Sequence, residues 1–80
     1  MTAEKVLENL RKNLIGFENW DMNDVVYSFE DFEEYGKNEV CFERSNNSGY
    51  DYIAYIDAKD STQFLIKTNK NDVVIDVWIA

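Results

Sequence analysis

Histidine and proline are missing from this 80-residue chain, and cysteine occurs once, at Cys41. Without histidine there is no imidazole base, no histidine-activated nucleophile and no histidine metal ligand. A single cysteine excludes a disulfide scaffold, and its mid-strand setting reads as an inert, buried thiol. The three glycines, Gly16, Gly36 and Gly49, are scattered turn residues rather than a phosphate-cradling loop. Bases are scarce too: 8 Lys and Arg face 16 Asp and Glu, a net charge of −8. Direct nucleic-acid binding is therefore disfavoured, because phosphate contacts need basic side chains. No apolar run approaches the roughly 18 residues of a membrane helix, and the charged start Met1-Thr2-Ala3-Glu4-Lys5 is not a signal-peptide pattern. The expectations are a single domain over residues 1–80, no membrane, no metal or cofactor, and a reducing cytoplasm.

What is present suits a small globular domain. Hydrophobic residues make up 45% and aromatics 15%, too apolar for a disordered chain. Sixteen acids make chance carboxylate pairs unavoidable. A two-layer domain of this size offers little room for a catalytic cleft, so the expectation is no enzyme. Asp21-Met22-Asn23-Asp24 has a faint calcium-loop look, without the glycine and distal glutamate such a loop needs.

The acids are concentrated. Residues 17–43 hold nine of them (Glu18, Asp21, Asp24, Glu30, Asp31, Glu33, Glu34, Glu39 and Glu43) against one base, Lys37. The rest of the chain sums to zero. A solvated face that confers solubility is one reading. A negative patch aimed at a basic partner is the other, since clustered like charges repel and cost stability.

The spacing of Val6, Leu7, Leu10 and Leu14 predicts a helix over roughly 3–15, with Thr2 as N-cap and Gly16 as stop. Residues 17–23 have no clean period. Asp24-Val25-Val26-Tyr27 reads as a short strand. Ser28 with Asp31 resembles a capping pair that opens a short acidic helix over 29–35, ended by Gly36. Four alternating runs follow, at 39–45, 50–57, 62–68 and 73–79, separated by turn clusters. The fold class implied is α+β: two layers, with two helices on one face of a four- to five-stranded, mostly antiparallel sheet. Val40, Phe42, Ala54, Ile56, Phe64, Ile66, Val73, Ile75 and Val77 are expected on the helix-covered face. The other face is mixed, with Glu43, Asp51, Ile53, Tyr55, Leu65, Lys67, Asp76 and Trp78. It is expected to be either a binding patch or partly covered by the 17–23 loop.

The element order, and the piece Asp24-Val25-Val26-Tyr27-Ser28-Phe29-Glu30-Asp31-Phe32-Glu33-Glu34-Tyr35-Gly36, resemble the phage uracil-DNA glycosylase inhibitor family. Phe32-Glu33-Glu34 matches the hydrophobic-Glu-Glu step of that family's short helix. Two features depart from it. The family's Glu-Ser-Ile strand motif is replaced by Asn23-Asp24-Val25, and the proline before its second helix by Ser28. The resemblance implies a non-catalytic inhibitor that imitates DNA along a strand edge. It also implies a pocket beside the short helix that grips a hydrophobic side chain, with Phe29 and Phe32 helping to wall it. The expected location is cytoplasmic, in the host if the chain is phage-encoded. The partner expected is a basic DNA-binding protein or nuclease, with Glu18, Asp21, Asp24, Val25, Glu30, Phe32, Glu33 and Glu34 at the contact. An immunity protein against a nuclease toxin, an anti-CRISPR protein and a structural interaction module without mimicry fit the same charge pattern.

Overall fold

The computed structural model describes residues 2–29, 40–46, 49–56 and 62–80. The expected helix 29–35, apart from Phe29, and the whole of the expected turn at 58–61 lie outside the described residues.

Helix α1 (Ala3–Leu14) starts where the sequence marks it: Thr2 Oγ1 accepts the Lys5 N–H at 3.2 Å. Glu4 lies in its first turn and Arg11 and Lys12 in its last, each complementing the helix dipole. Val6, Leu10 and Leu14 form its buried stripe. Gly16 then takes a left-handed φ of 85°, a conformation open to glycine without strain, and its N–H donates to the Val74 carbonyl at 2.8 Å.

Residues 24–27, expected to be a strand, are helical instead. Helix α2 (Met22–Tyr27) is opened by a capping box. The Asp21 carboxylate accepts the Asn23 N–H at 2.9 Å, and Asp24 returns a carboxylate oxygen to the Asp21 N–H at 2.8 Å. This reciprocal pair satisfies the first-turn donors and overrides the strand preference of Val25-Val26-Tyr27. Ser28 closes α2 rather than standing apart from it. Its buried hydroxyl donates to the Asp24 carbonyl at 3.0 Å and accepts from Asn13 Nδ2 at 3.1 Å. Asn9 Nδ2 donates to the Ser28 carbonyl at 3.1 Å, so one face of α1 clamps the end of α2.

The sheet is an antiparallel meander in the order β1-β2-β3-β4: β1 (Val40–Arg44), β2 (Tyr52–Ile56), β3 (Gln63–Thr68) and β4 (Val74–Ile79). Cross-strand register aligns Phe42, Ala54, Phe64 and Ile79 in one row and Tyr52, Ile66 and Val77 in the next. Residues of these rows share one apolar cluster with Val6, Leu10, Leu14, Val25, Val26 and Phe29. The α+β reading therefore holds, and both helices bury their apolar sides against this one sheet face. Phe29 meets Phe64 edge-on at 5.7 Å.

Two core assignments need correction. Ile75 is 52% exposed and Val73 is half-buried, whereas Val74 is buried. The register pairs Lys67 with Asp76 but Thr68 with Val74, so Ile75 is the extra residue of a β-bulge. The bulge turns Val74 and Val77 to the same face and sends Ile75 and Asp76 outward. Beyond it, Arg11 Nε donates to the Val77 carbonyl at 2.9 Å, and the Val77 N–H donates to Asp76 Oδ1 at 2.8 Å.

Asp51 ties the start of β2 to the end of β3. Its carboxylate accepts the Thr68 N–H at 2.8 Å and the Thr68 hydroxyl at 3.1 Å, with Lys67 Nζ at 3.5 Å. The Thr68 N–H, foremost among these partners, holds the carboxyl below its ordinary pKa. A depressed folded-state pKa gives stability that is present above the unfolded value and lost as pH falls through the folded one. Asp51→Ala should cost about 1 kcal/mol at neutral pH. In urea melts, the gap between parent and variant should narrow as pH falls, and be smallest at the most acid pH at which the parent still folds. An unchanged gap at that pH would remove the charge from this account.

Candidate functional site

Between the last turn of α1 and the outer side of α2 lies a groove of about 620 Å³. Lys12 and Asn13 line it from α1, Phe17, Glu18, Asn19 and Trp20 from the intervening loop, and Asp24 and Tyr27 from α2. Local chemistry explains why this loop presents its side chains. Gly16 turns the chain away from α1, and the Phe17 N–H closes onto the Leu14 carbonyl at 3.1 Å. Asn19 is left-handed, with φ 56°, which asparagine tolerates better than most residues.

Trp20 anchors the loop. Its ring packs edge-on against Tyr52 at 4.8 Å and Phe42 at 5.3 Å, and its indole N–H donates to the Asp72 carbonyl at 3.0 Å. Asp72 also accepts the Tyr52 hydroxyl at 3.2 Å. Burial, reinforced by the Asp72 carboxylate, raises the Tyr52 phenol above its ordinary pKa. The 17–23 loop therefore docks on the helix side of the sheet. Of the two alternatives for the opposite face, partial cover by this loop is therefore corrected, because Phe42 and Tyr52 belong to the rows facing the helices.

The aromatic rim is open. Phe17 is 54% exposed and Tyr27 66%, unusually high for such large groups. Glu18 and Asp21 are exposed and Asp24 half-exposed. The ion pair seen among the described residues, Lys67 with Asp51, is on the sheet, and these three acids have no cation within bonding reach there.

Of the expected contact residues, Glu18 and Asp24 line the groove and Asp21 caps the helix beside it. Asp24 stands on a helix rather than a strand edge, and its carboxylate also serves the cap. Val25 is fully buried in the core and cannot reach a partner surface. Glu30, Phe32, Glu33 and Glu34 lie outside the described residues. Phe17, Trp20 and Tyr27 were not singled out by the charge pattern. Their sequence signal is the aromatic interleaving of acids over residues 17–27.

The opposite sheet face aligns Glu43, Ile53, Leu65 and Trp78 in one row and Cys41, Tyr55 and Gln63 in another. Tyr55 donates its hydroxyl to Glu43 at 2.9 Å, and Trp78 meets Tyr50 edge-on at 6.4 Å. Among the described residues, no three His, Cys, Asp or Glu side chains gather as a metal site, and no helix is long and apolar enough to cross a membrane. Neither a protein-family model, nor a curated protein, nor a solved structure matches the chain.

Proposed function

We propose that this protein is a non-catalytic, stoichiometric inhibitor whose acidic segment occupies the basic, DNA-binding groove of an enzyme. The first candidate target is uracil-DNA glycosylase. The observation that carries the reading is that the entire net charge of −8 resides in residues 17–43. Where that segment is described, Glu18, Asp21 and Asp24 stand unneutralised around a groove rimmed by exposed aromatics. A basic cleft built for phosphates attracts such a surface from a distance, and aromatic contacts then slow its departure. The family resemblance points to the same target. An immunity protein or an anti-CRISPR protein would use the same charge logic against a different DNA-handling enzyme.

The test is a uracil-excision assay titrated with the protein, run beside nuclease assays on other DNA-groove enzymes. One-to-one loss of excision is expected, with an association rate that falls as salt shortens the Debye length. The informative variants avoid the capping residues Asp21 and Asp24. Neutralising Glu18, Glu30, Glu33 and Glu34 to Gln should slow association by about tenfold or more. Neutralising Glu4, Glu8, Asp57 and Asp60 to their amides should slow it by less than about twofold. No inhibition of the glycosylase removes that target. Equal effects of the two sets on any confirmed target remove DNA-groove occupation as the mechanism.

A further inference from the structure

The groove between α1 and α2 combines two properties that select a chemical class. Its exposed walls include the aromatic side chains of Phe17 and Tyr27, and among the described residues its carboxylates, Glu18 and Asp24, outnumber its one cation, Lys12. We propose that this groove receives an arginine side chain from a segment of the partner protein. The inference rests on reading the acidic segment as a partner-facing surface. It does not require the partner to be a DNA enzyme.

Each part of a guanidinium finds a counterpart here. Its plane stacks on aromatic rings, it is weakly hydrated for a cation, and its fork of N–H donors suits carboxylates. A leucine would use the rings and leave the carboxylates unanswered. A carboxylate-bearing side chain would be repelled by Glu18 and Asp24. The tryptophan beneath is already committed to Tyr52, Phe42 and Asp72, which fixes the floor before any ligand arrives. A prefixed floor lowers the ordering cost of binding. Lys12 supplies a sign that a merely sticky groove would not give. Its ammonium opposes a cationic guest, so removing that charge should improve binding.

The experiment follows backbone amide shifts of the isotope-labelled full chain. The titrant is a capped five-residue peptide with one central arginine among glycine and serine. Matched peptides carry citrulline, the neutral isostere, or leucine. Shifts are expected to cluster on residues 12–27, with the citrulline and leucine peptides binding about fivefold or more weakly. Glu18→Gln and Phe17→Ala should each weaken arginine binding about threefold, whereas Lys12→Gln should strengthen it about twofold. Glu4→Gln, on the first turn of α1, should leave it unchanged. Phe17, Glu18 and Lys12 are exposed, and thermal melts establish that each variant is folded before it is titrated.

Equal binding of arginine and citrulline peptides overturns the proposal. So does stronger binding of the leucine peptide, shifts confined to the opposite sheet face, or weaker binding by Lys12→Gln. Inhibition of a DNA enzyme without an arginine response in the groove also overturns it, and leaves occupation of a DNA groove standing. An arginine response with no DNA enzyme inhibited does the reverse.

Discussion

Replacing Ile66 by Ala is expected to cost about 2–5 kcal/mol, and the same change at Ile75 less than about 1 kcal/mol. Both residues are isoleucines in neighbouring strands of one sheet, so composition and strand preference give no ground for a difference. Burial does. Ile66 is fully enclosed between Tyr52 and Val77 in its cross-strand row, within the cluster that joins sheet and helices. Truncating it removes apolar contacts and leaves a cavity that a packed core fills only in part. Ile75 is the added residue of the bulge, and its side chain points to solvent. A domain of 80 residues has on the order of 4–12 kcal/mol of total stability, so the Ile66 variant should be close to its unfolding midpoint at modest temperature. Urea melts of the two variants side by side decide the matter. A larger loss at Ile75 than at Ile66 would place the bulge elsewhere in β4.

Trp20→Ala should cost about 2–4 kcal/mol, somewhat below the range for a fully enclosed aromatic. The residue is half-buried, yet it makes two edge-on ring contacts and one hydrogen bond across three separate parts of the chain. Aromatic pairs of this kind contribute about 0.5–1.5 kcal/mol each beyond area burial, and a neutral hydrogen bond about 1 kcal/mol. Trp20→Phe keeps the ring contacts and loses the N–H bond to Asp72, so it should recover most of the stability. The alanine variant should also release the loop that carries Phe17 and Glu18, which amide exchange across residues 17–20 would register as lost protection. A loss under about 1 kcal/mol, with protection unchanged, would mean that the loop is held by something other than Trp20.

The sheet was legible because turn residues bracket the apolar runs that contain 40–44, 52–56 and 63–68, and the register keeps Phe42, Ala54, Phe64 and Ile66 on the expected face. Position within β4 was not legible. Val73, Val74 and Ile75 are all β-branched and apolar, so hydropathy cannot say which of them faces inward. The choice is made by the preceding turn. Asn69 Oδ1 accepts the Asn71 and Val73 N–H groups, and Asp72 adopts a left-handed φ of 62°. That turn uses up Val73 and starts the strand one residue later than its hydropathy suggests.

At α2 two local signals compete. Val-Val-Tyr favours extended chain, and Asp-x-x-Asp favours a helix start. The second carries more weight because it satisfies specific backbone donors that the strand reading leaves to chance. The acidity of the candidate site was plain in the sequence. Its shape was not, because Lys12 and Asn13 come beside Asp24 and Tyr27 only when the chain reverses at Gly16 and Asn9 and Asn13 clamp Ser28.

The bonds that fasten α1 to β4 have a consequence for how molecules of this protein meet one another. A terminal strand of an open sheet ordinarily offers its free N–H and C=O groups as a template for another chain. On β4 three of those groups are taken. The Val74 carbonyl receives Gly16, the Val77 carbonyl receives Arg11, and the Val77 N–H is answered by Asp76. Ile15 even runs alongside Val74 as a one-residue parallel bridge, and the bulge at Ile75 breaks the flat register an incoming strand would need. Edge-to-edge pairing along the Val74–Val77 part of β4 is thereby obstructed, by α1 and the residues that follow it and by Asp76 within the strand itself.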